Sequence, residues 1–267
     1  MTTTQAKWLR VTRAVPCRIC GKPDWCTVSS EGAACCMRVE SSKPMANGGW
    51  LHIDATVAGP RILPPSRDPS PTIDAASLIG RWRRETCEAQ FEALAETLGL
   101  PVHPLAVLGA SWAREHRAWA FPMHDGQGAI VGIRLRNDAG EKWAVRGSRS
   151  GIFAPNMTPQ DTAMVCEGPT DTAAAIAMGF WAVGRPSCSQ GYVDVVTTFL
   201  RLGVRRAVIV ADNDGPGLRG VHDLAKIINM PHKIFIPPTK DLRQLWQIGE
   251  GRRFVEAQLS SIMWRTI

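Results

Sequence analysis

Residues 162–178 read TAMVCEGPTDTAAAIAM, and residues 207–215 read AVIVADNDG. Each opens on a compact apolar run, Ala163–Cys166 and Ala207–Ala211, of strand rather than helix length. Each run ends in acidic residues: Glu167-Gly168-Pro169-Thr170-Asp171 in the first, Asp212-Asn213-Asp214-Gly215 in the second. Helical stretches follow at Asp171–Met178 and Leu218–Asn229. The runs Trp181–Val183 and Lys233–Ile236, with the helical stretch Val193–Leu202, complete an alternation of strand and helix. That alternation predicts a mainly parallel sheet with helices on both faces. The acidic residues then stand at the carboxyl ends of strands, where open α/β sheets place their sites. Two aspartates one residue apart can face one hard cation, and several converging carboxylates repel unless a divalent ion neutralises them. Either motif alone reads as well as a helix start or an Asx-rich turn. The pair, in order and each after a strand, points to a cation site.

Upstream, Trp119–Phe121, Ala129–Arg136 and Lys142–Arg146 read as short strands. The turns Asp125-Gly126 and Asp138-Ala139-Gly140 separate them, as in an antiparallel meander. This stretch carries Arg134, Arg136, Lys142, Arg146 and Arg149, opposed by Asp138 and Glu141. On a strand, Arg134 and Arg136 share one face while Ile133 and Leu135 share the other. The arginine forks match phosphate geometry, whereas the ordinary reading is a solvated strand face. Before it, Ala75–Leu100 has one helical periodicity, closed by Gly99 and Pro101. Ten tryptophans stand against one tyrosine. Trp25, Trp50, Trp112 and Trp119 could stack on bases, although packing is the default for each.

The front of the chain differs. Within Ala14–Ile53, Cys17-x-x-Cys20 precedes Cys26 and the pair Cys35-Cys36. Two thiolates two residues apart can grip one side of a tetrahedral zinc, and a metal replaces the core that so small a block lacks. Cys17, Cys20, Cys26 and Cys36 are the expected ligands; Cys35 can substitute for Cys36, and His52 for Cys26. Residues 55–74, ATVAGPRILPPSRDPSPTID, hold five prolines and read as an extended tether. The expected divisions are therefore a zinc-binding ribbon over residues 1–54, the linker over 55–74, a basic subdomain over 75–160, and an α/β domain with terminal helices over 161–267.

Composition is compatible with this plan. The 267 residues are 45% hydrophobic and 21% charged, with a formal net charge of +7. Residues 1–150 carry 19 basic and 14 acidic side chains, so most of the excess lies in the front half, as a polyanionic partner favours. MTTTQAKWLR has no apolar core for a secretory signal, and no run approaches the length of a membrane span. A cytosolic location with no membrane partner follows as an expectation, and there clustered cysteines more often hold metal than form disulfides.

Glu-Gly-x-Thr-Asp followed by Asp-x-Asp resembles the TOPRIM domain of bacterial-type primases, topoisomerases, the recombination mediator RecR and some nucleases, over about residues 162–251. Lys240-Asp241-Leu242 is similar to the Lys-Asp element of the primase version. A cysteine ribbon, a proline-rich tether and a basic subdomain ahead of TOPRIM resemble DnaG-type primases and the primase halves of phage primase–helicases. The unequal cysteine spacing departs from two Cys-x-x-Cys pairs. The resemblance implies synthesis of short RNA primers on single-stranded DNA from ribonucleoside triphosphates by two-metal nucleotidyl transfer. It assigns Glu167, Asp212 and Asp214 to Mg2+ or Mn2+, Glu167 alternatively as base, and Asp171 as a buttress. Asp241 adds to the cation site, and Lys240 contacts phosphates. Arg134, Arg136, Lys142 and Arg146 hold nucleotide or template, and Zn2+ sits in the ribbon. A separate helicase or initiator would supply single strands, with 257–264 as a docking helix or simply the end of the fold. The alternatives are a RecR-like binding module without catalysis and a TOPRIM nuclease. A topoisomerase is disfavoured because the single tyrosine, Tyr192, lies inside the TOPRIM segment.

Overall fold

The computed structural model describes residues 8–29, 32–45, 48–53 and 73–266. Almost all of the expected linker, 55–74, lies outside the described residues. Two compact units divide between Pro69 and Ser70.

The first unit is a four-stranded antiparallel sheet in sequential order: β1 (Trp8–Arg10), β2 (Thr27–Ser29), β3 (Ala34–Cys36) and β4 (Trp50–His52). Each strand has three residues, and the buried centre consists of Val11, Cys17, Cys26 and Cys36. Sulfur does here what aliphatic side chains do in a larger domain.

The second unit begins with α1 (Ala75–Glu85) and α2 (Glu88–Leu98). The single helix expected over Ala75–Leu100 is thus two. Thr86 interrupts it in an extended conformation, its hydroxyl donating to Trp82 O (2.7 Å) and accepting from Trp112 N–H (2.8 Å). A β-branched hydroxyl residue that can bond to the preceding turn competes with helix continuation. After α3 (Val102–Val107) come β5 (Ser111–Ala113), β6 (Ala118–His124), β7 (Ile130–Arg136) and β8 (Lys142–Ala144), the expected meander. One face of this sheet packs on Ile79 and Trp82 of α1 through Ala118, Ala120, Ile133 and Leu135. The other sends Trp119, Phe121 and Met123 against Leu94, Leu98 and Leu105.

The parallel sheet follows: β9 (Thr162–Glu167), α4 (Gly168–Ala177), β10 (Trp181–Arg185), α5 (Tyr192–Leu202), β11 (Arg206–Val210), α6 (Gly215–Ala225) and β12 (His232–Phe235), in the order β10-β9-β11-β12. Two short helices close the chain, α7 (Leu242–Gln247) and α8 (Arg252–Ser260). Alternate residues of β9 serve opposite faces. Met164 and Cys166 join α4, whereas Ala163 and Val165 join Val195 and Phe199 of α5 and Val221 and Leu224 of α6. This burial on both faces explains the unbroken apolar runs. The chain steps from β9 outward to β10, then back across to β11. That reversal leaves a crevice at the carboxyl ends of the two central strands.

Ile152 and Phe153 join the sheets. Ile152 exchanges backbone hydrogen bonds with His124 of β6 (2.7 and 2.8 Å), and Phe153 with Gly184 of β10 (both 2.8 Å). A Cβ on Gly184 would lie 2.3 Å from Thr172 Oγ1 and 2.6 Å from Gly168 O at the start of α4. Backbone cannot yield as a flexible side chain does. Gly184→Ala should therefore cost about 1–3 kcal/mol, the usual range for overpacking, measured by denaturant unfolding. An unchanged midpoint would mean that α4 moves freely relative to β10.

Candidate active site

The strands and turns described above bring ten charged side chains to one crevice. Glu167 ends β9, and Asp171 lies in the first turn of α4. Asp212 follows β11, with Asp214 as N-cap of α6 and Asp241 as N-cap of α7. Asp214 Oδ1 accepts from Gly217 N–H (2.7 Å), and Asp241 Oδ1 accepts from Gln244 N–H (2.8 Å). The Asx-turn reading of these residues is thus true locally, and each keeps a second oxygen. Asn213 N–H donates to Lys240 O (2.8 Å), which ties the Asp-Asn-Asp loop to the Lys-Asp loop.

Facing them, Arg134, Arg136, Lys142, Lys240 and Arg243 line a cleft of about 310 Å³ together with Glu167, Asp171, Asp212 and Asp241. Arg134 and Arg136 point the same way from β7, while Ile133 and Leu135 are buried behind them. Arg146 lies exposed beyond β8 and does not line this cleft. Arg149 is also exposed and lies 3.9 Å from Asp125. Of the four tryptophans, Trp119 is buried against Trp112 and Phe91, whereas Trp25 is 71% exposed with Arg38 over its ring.

Burial and mutual repulsion govern the carboxylates. Burial first, then the charges of Asp171, Glu167, Asp241 and Asp214, push Asp212 up to about 8. Asp171, which accepts from Arg243 N–H (3.0 Å), rises to about 6 through burial and the charge of Asp241. Glu167 is raised by burial and Asp214, against the pull of Arg185. Burial lowers the guanidinium pKa of Arg134, whose Nε is buried without a hydrogen-bond partner. The cleft thus has an all-oxygen donor set seeking positive charge, beside an orphaned N–H that a phosphate oxygen would satisfy.

Sequence reasoning missed Arg243, Phe153 and Arg185. Arg243 lies two residues after Asp241, and that spacing was the available signal. Arg185 ends β10 beside Glu167 in the sheet register and is fully buried, its NH1 donating to Cys188 O (2.7 Å) and Gly220 O (3.2 Å). Nothing local in Gly-Arg-Pro-Ser announces that burial.

In the first unit, one sulfur each from Cys17, Cys20, Cys26 and Cys36 lie within 4.8 Å of one another. The Cys20–Cys26 and Cys26–Cys36 separations are 3.7 and 3.9 Å. A zinc with ~2.3 Å bonds sets tetrahedral sulfurs ~3.8 Å apart, so the residues fit the ion. Cys35 instead points its sulfur toward Gly48 O (3.6 Å), and His52 Nε2 bonds Val39 O (3.1 Å). Burial and its neighbouring thiols push Cys26 up to about 12. Against burial, hydrogen bonds to Lys22 and the other cysteines bring Cys20 down to about 6. Thiols gathered in this way give up their protons as a cation binds them.

No protein-family model matches the chain, and no curated protein matches it in sequence. Solved structures do match in fold. A DnaG primase catalytic domain bound to single-stranded DNA aligns at 14% identity over 71% of this chain and 80% of its own, with TM-score 0.57. The zinc-binding and RNA polymerase domains of the Aquifex aeolicus primase align at 11% identity over 72% and 60%, with TM-score 0.58. The primase fragment of the bacteriophage T7 primase–helicase aligns at 14% identity over 94% and 99%, with TM-score 0.50. The chain therefore has the α/β fold of primase catalytic cores, a TOPRIM-type parallel sheet included, and its cysteine cluster fits a zinc ribbon. Among the described residues no helix is long and apolar enough to cross a membrane.

The raised carboxyls carry a sign. Between the unfolded carboxyl value of about 4 and the folded values of about 6 and 8, the folded chain binds protons that the unfolded chain has released. Stability is then fullest at the acid end of that window and declines as pH rises through it. In divalent-free buffer Asp212→Asn should melt a few degrees above the wild type at about pH 9, with the difference shrinking as pH falls toward about 4. Added Mg2+ should raise the melting temperature of the wild type more than that of the variant. A variant less stable at the higher pH would refute the repulsion.

Proposed function

We propose that the chain is a DNA-templated primase that joins ribonucleotides into short RNA primers on single-stranded DNA. The carrying observation is the meeting, in one cleft, of carboxylates from the ends of β9 and β11 with cations from β7, β8 and the Lys240–Arg243 turn. That combination suits a nucleoside triphosphate and its metal ions better than a surface that only binds DNA.

Glu167, Asp212 and Asp214 would hold Mg2+ or Mn2+, since oxygen donors suit hard divalent ions. Bound there, the ions supply Lewis-acid stabilisation of the transferring phosphoryl group and a more acidic primer 3′-hydroxyl. Asp214 offers the oxygen that its cap leaves free. As the alternative to holding a metal ion, Glu167, its pKa raised by burial, suits accepting the hydroxyl proton. Asp171, almost wholly buried and bonded to Arg243 N–H, stiffens the acidic wall from behind, and Asp241 adds charge at its edge. Arg134 and Arg136 would clamp triphosphate or template phosphates, with Lys142 and Lys240 at the more exposed mouth. Arg146, outside the cleft, would touch only template running past it. Zn2+ held by Cys17, Cys20, Cys26 and Cys36 would order the ribbon that reads the start site. A cytosolic replication setting, with a separate helicase or initiator exposing the template, completes this reading.

The test is primer synthesis from labelled ribonucleotides on defined single-stranded templates with Mg2+ or Mn2+. Asp212→Ala should abolish synthesis and leave DNA binding nearly intact. Arg134→Ala with Arg136→Ala should raise the ribonucleotide KM or weaken template binding by roughly 1–3 kcal/mol, and flatten the salt dependence of binding. Failure of the wild type to join ribonucleotides on any template would sink the primase assignment, and cleavage of the strand would favour a nuclease.

Freshly purified protein should also carry about one zinc per chain. Changing Cys17 and Cys20 together to Ser should release it and impair site-specific initiation more than synthesis on templates lacking a preferred start. Elemental analysis showing no zinc would remove the ribbon from this account.

A further inference from the structure

A second cavity, of about 660 Å³, opens where α5 meets the antiparallel sheet, and it shares no lining residue with the carboxylate cleft. Its volume lies in the middle of the range for small-molecule sites, about 300–1,000 Å³. Three hydrogen bonds brace one wall. Gly126 N–H donates to Asp194 (2.9 Å), and Arg201 Nε (3.1 Å) and the Thr198 hydroxyl (3.5 Å) both donate to Gly126 O.

The lining divides by chemistry. Val107, Ile130, Met157 and Leu202, each half-buried, contribute apolar surface. Arg83 and Arg201 supply two guanidiniums. Arg83 is exposed and, among the described residues, forms no ion pair, while Arg201 engages only its Nε, so terminal N–H groups of both are open to a ligand. The one lining carboxylate, Asp125, already accepts from Gln127 N–H and Ala129 N–H (both 3.0 Å) and lies 3.9 Å from Arg149. His124 also lines the cavity, and its Nδ1 is buried without a hydrogen-bond partner.

An apolar bed calls for a flat, weakly polar ring system, and guanidiniums call for phosphate, which their N–H fork matches. We propose that this cavity binds a nucleoside 5′-monophosphate unit, either free or at the 5′ end of a strand. The base lies on the apolar surface, with His124 within reach of its edge, and the phosphate lies on Arg83 and Arg201. The site needs neither divalent metal nor catalysis, so it stands independently of the function proposed for the cleft.

The experiment is titration calorimetry of the full chain without added divalent ions. Adenosine 5′-monophosphate, inorganic phosphate and a 5′-phosphorylated deoxyadenosine octamer are the three probes. The nucleotide or the octamer should bind, and Arg83→Ala should weaken that binding about tenfold. Thr158→Trp, at an exposed position on the rim, should block entry while the far-ultraviolet spectrum stays native. Asp212→Asn should bind as the wild type does. Arg83-dependent binding of the octamer alone identifies a strand end as the source, and binding of the monophosphate identifies the free nucleotide. Three outcomes would overturn the proposal: no binding of either probe, inorganic phosphate binding as tightly as the nucleotide, or affinity lost in Asp212→Asn yet kept in Arg83→Ala.

Discussion

The pair of backbone hydrogen bonds between Phe153 and Gly184 is the constraint on which the second unit depends. The antiparallel sheet carries Arg134, Arg136 and Lys142, whereas the parallel sheet and the segments that follow its strands carry the carboxylates with Lys240 and Arg243. Neither sheet alone contains a site. Residues 152 and 153 form bridges to both, with His124 on one side and Gly184 on the other, and so hold β7 across from the ends of β9 and β11. Gly184 also lets the start of α4 pack directly on β10, which fixes where Gly168 and Asp171 stand.

Given that arrangement, electrostatics sets the character of the cleft. Five carboxylates gathered in partly buried surroundings cannot all ionise cheaply, and Asp212 at the centre is displaced the most. The arginines opposite lower the cost without removing it, because burial weakens their hydration as well. Asp214 and Asp241 serve twice. Each caps a helix through one oxygen and thereby anchors its loop, while the charge still acts on Asp212 or Asp171. A site built from caps is rigid before any ligand arrives, which is what electrostatic preorganisation requires.

The cysteine unit solves a different problem. Strands of three residues bury too little apolar surface to outweigh chain entropy. Its centre is therefore sulfur, and its stability is tied to whatever cation the sulfurs hold.

Local chemistry was sufficient for much of this. The unbroken runs Ala163–Cys166 and Ala207–Ala211 announced buried parallel strands, and the acidic residues following them announced the crevice. Alternation along Ile133–Arg136 set the arginines on one face, because side-chain direction in a strand depends on parity alone. The sequence left the zinc ligands open among Cys26, Cys35, Cys36 and His52, since spacing does not say which way a sulfur turns. The tertiary structure decided that choice. It also decided the break at Thr86, where a hydroxyl finds Trp112, a partner 26 residues away. Arg185 and Arg243 enter the site, and Arg146 leaves the cleft, for the same reason. Those positions depend on how β10, α7 and β8 lie across other strands. Periodicity reports the face of an element; only packing reports what that face meets.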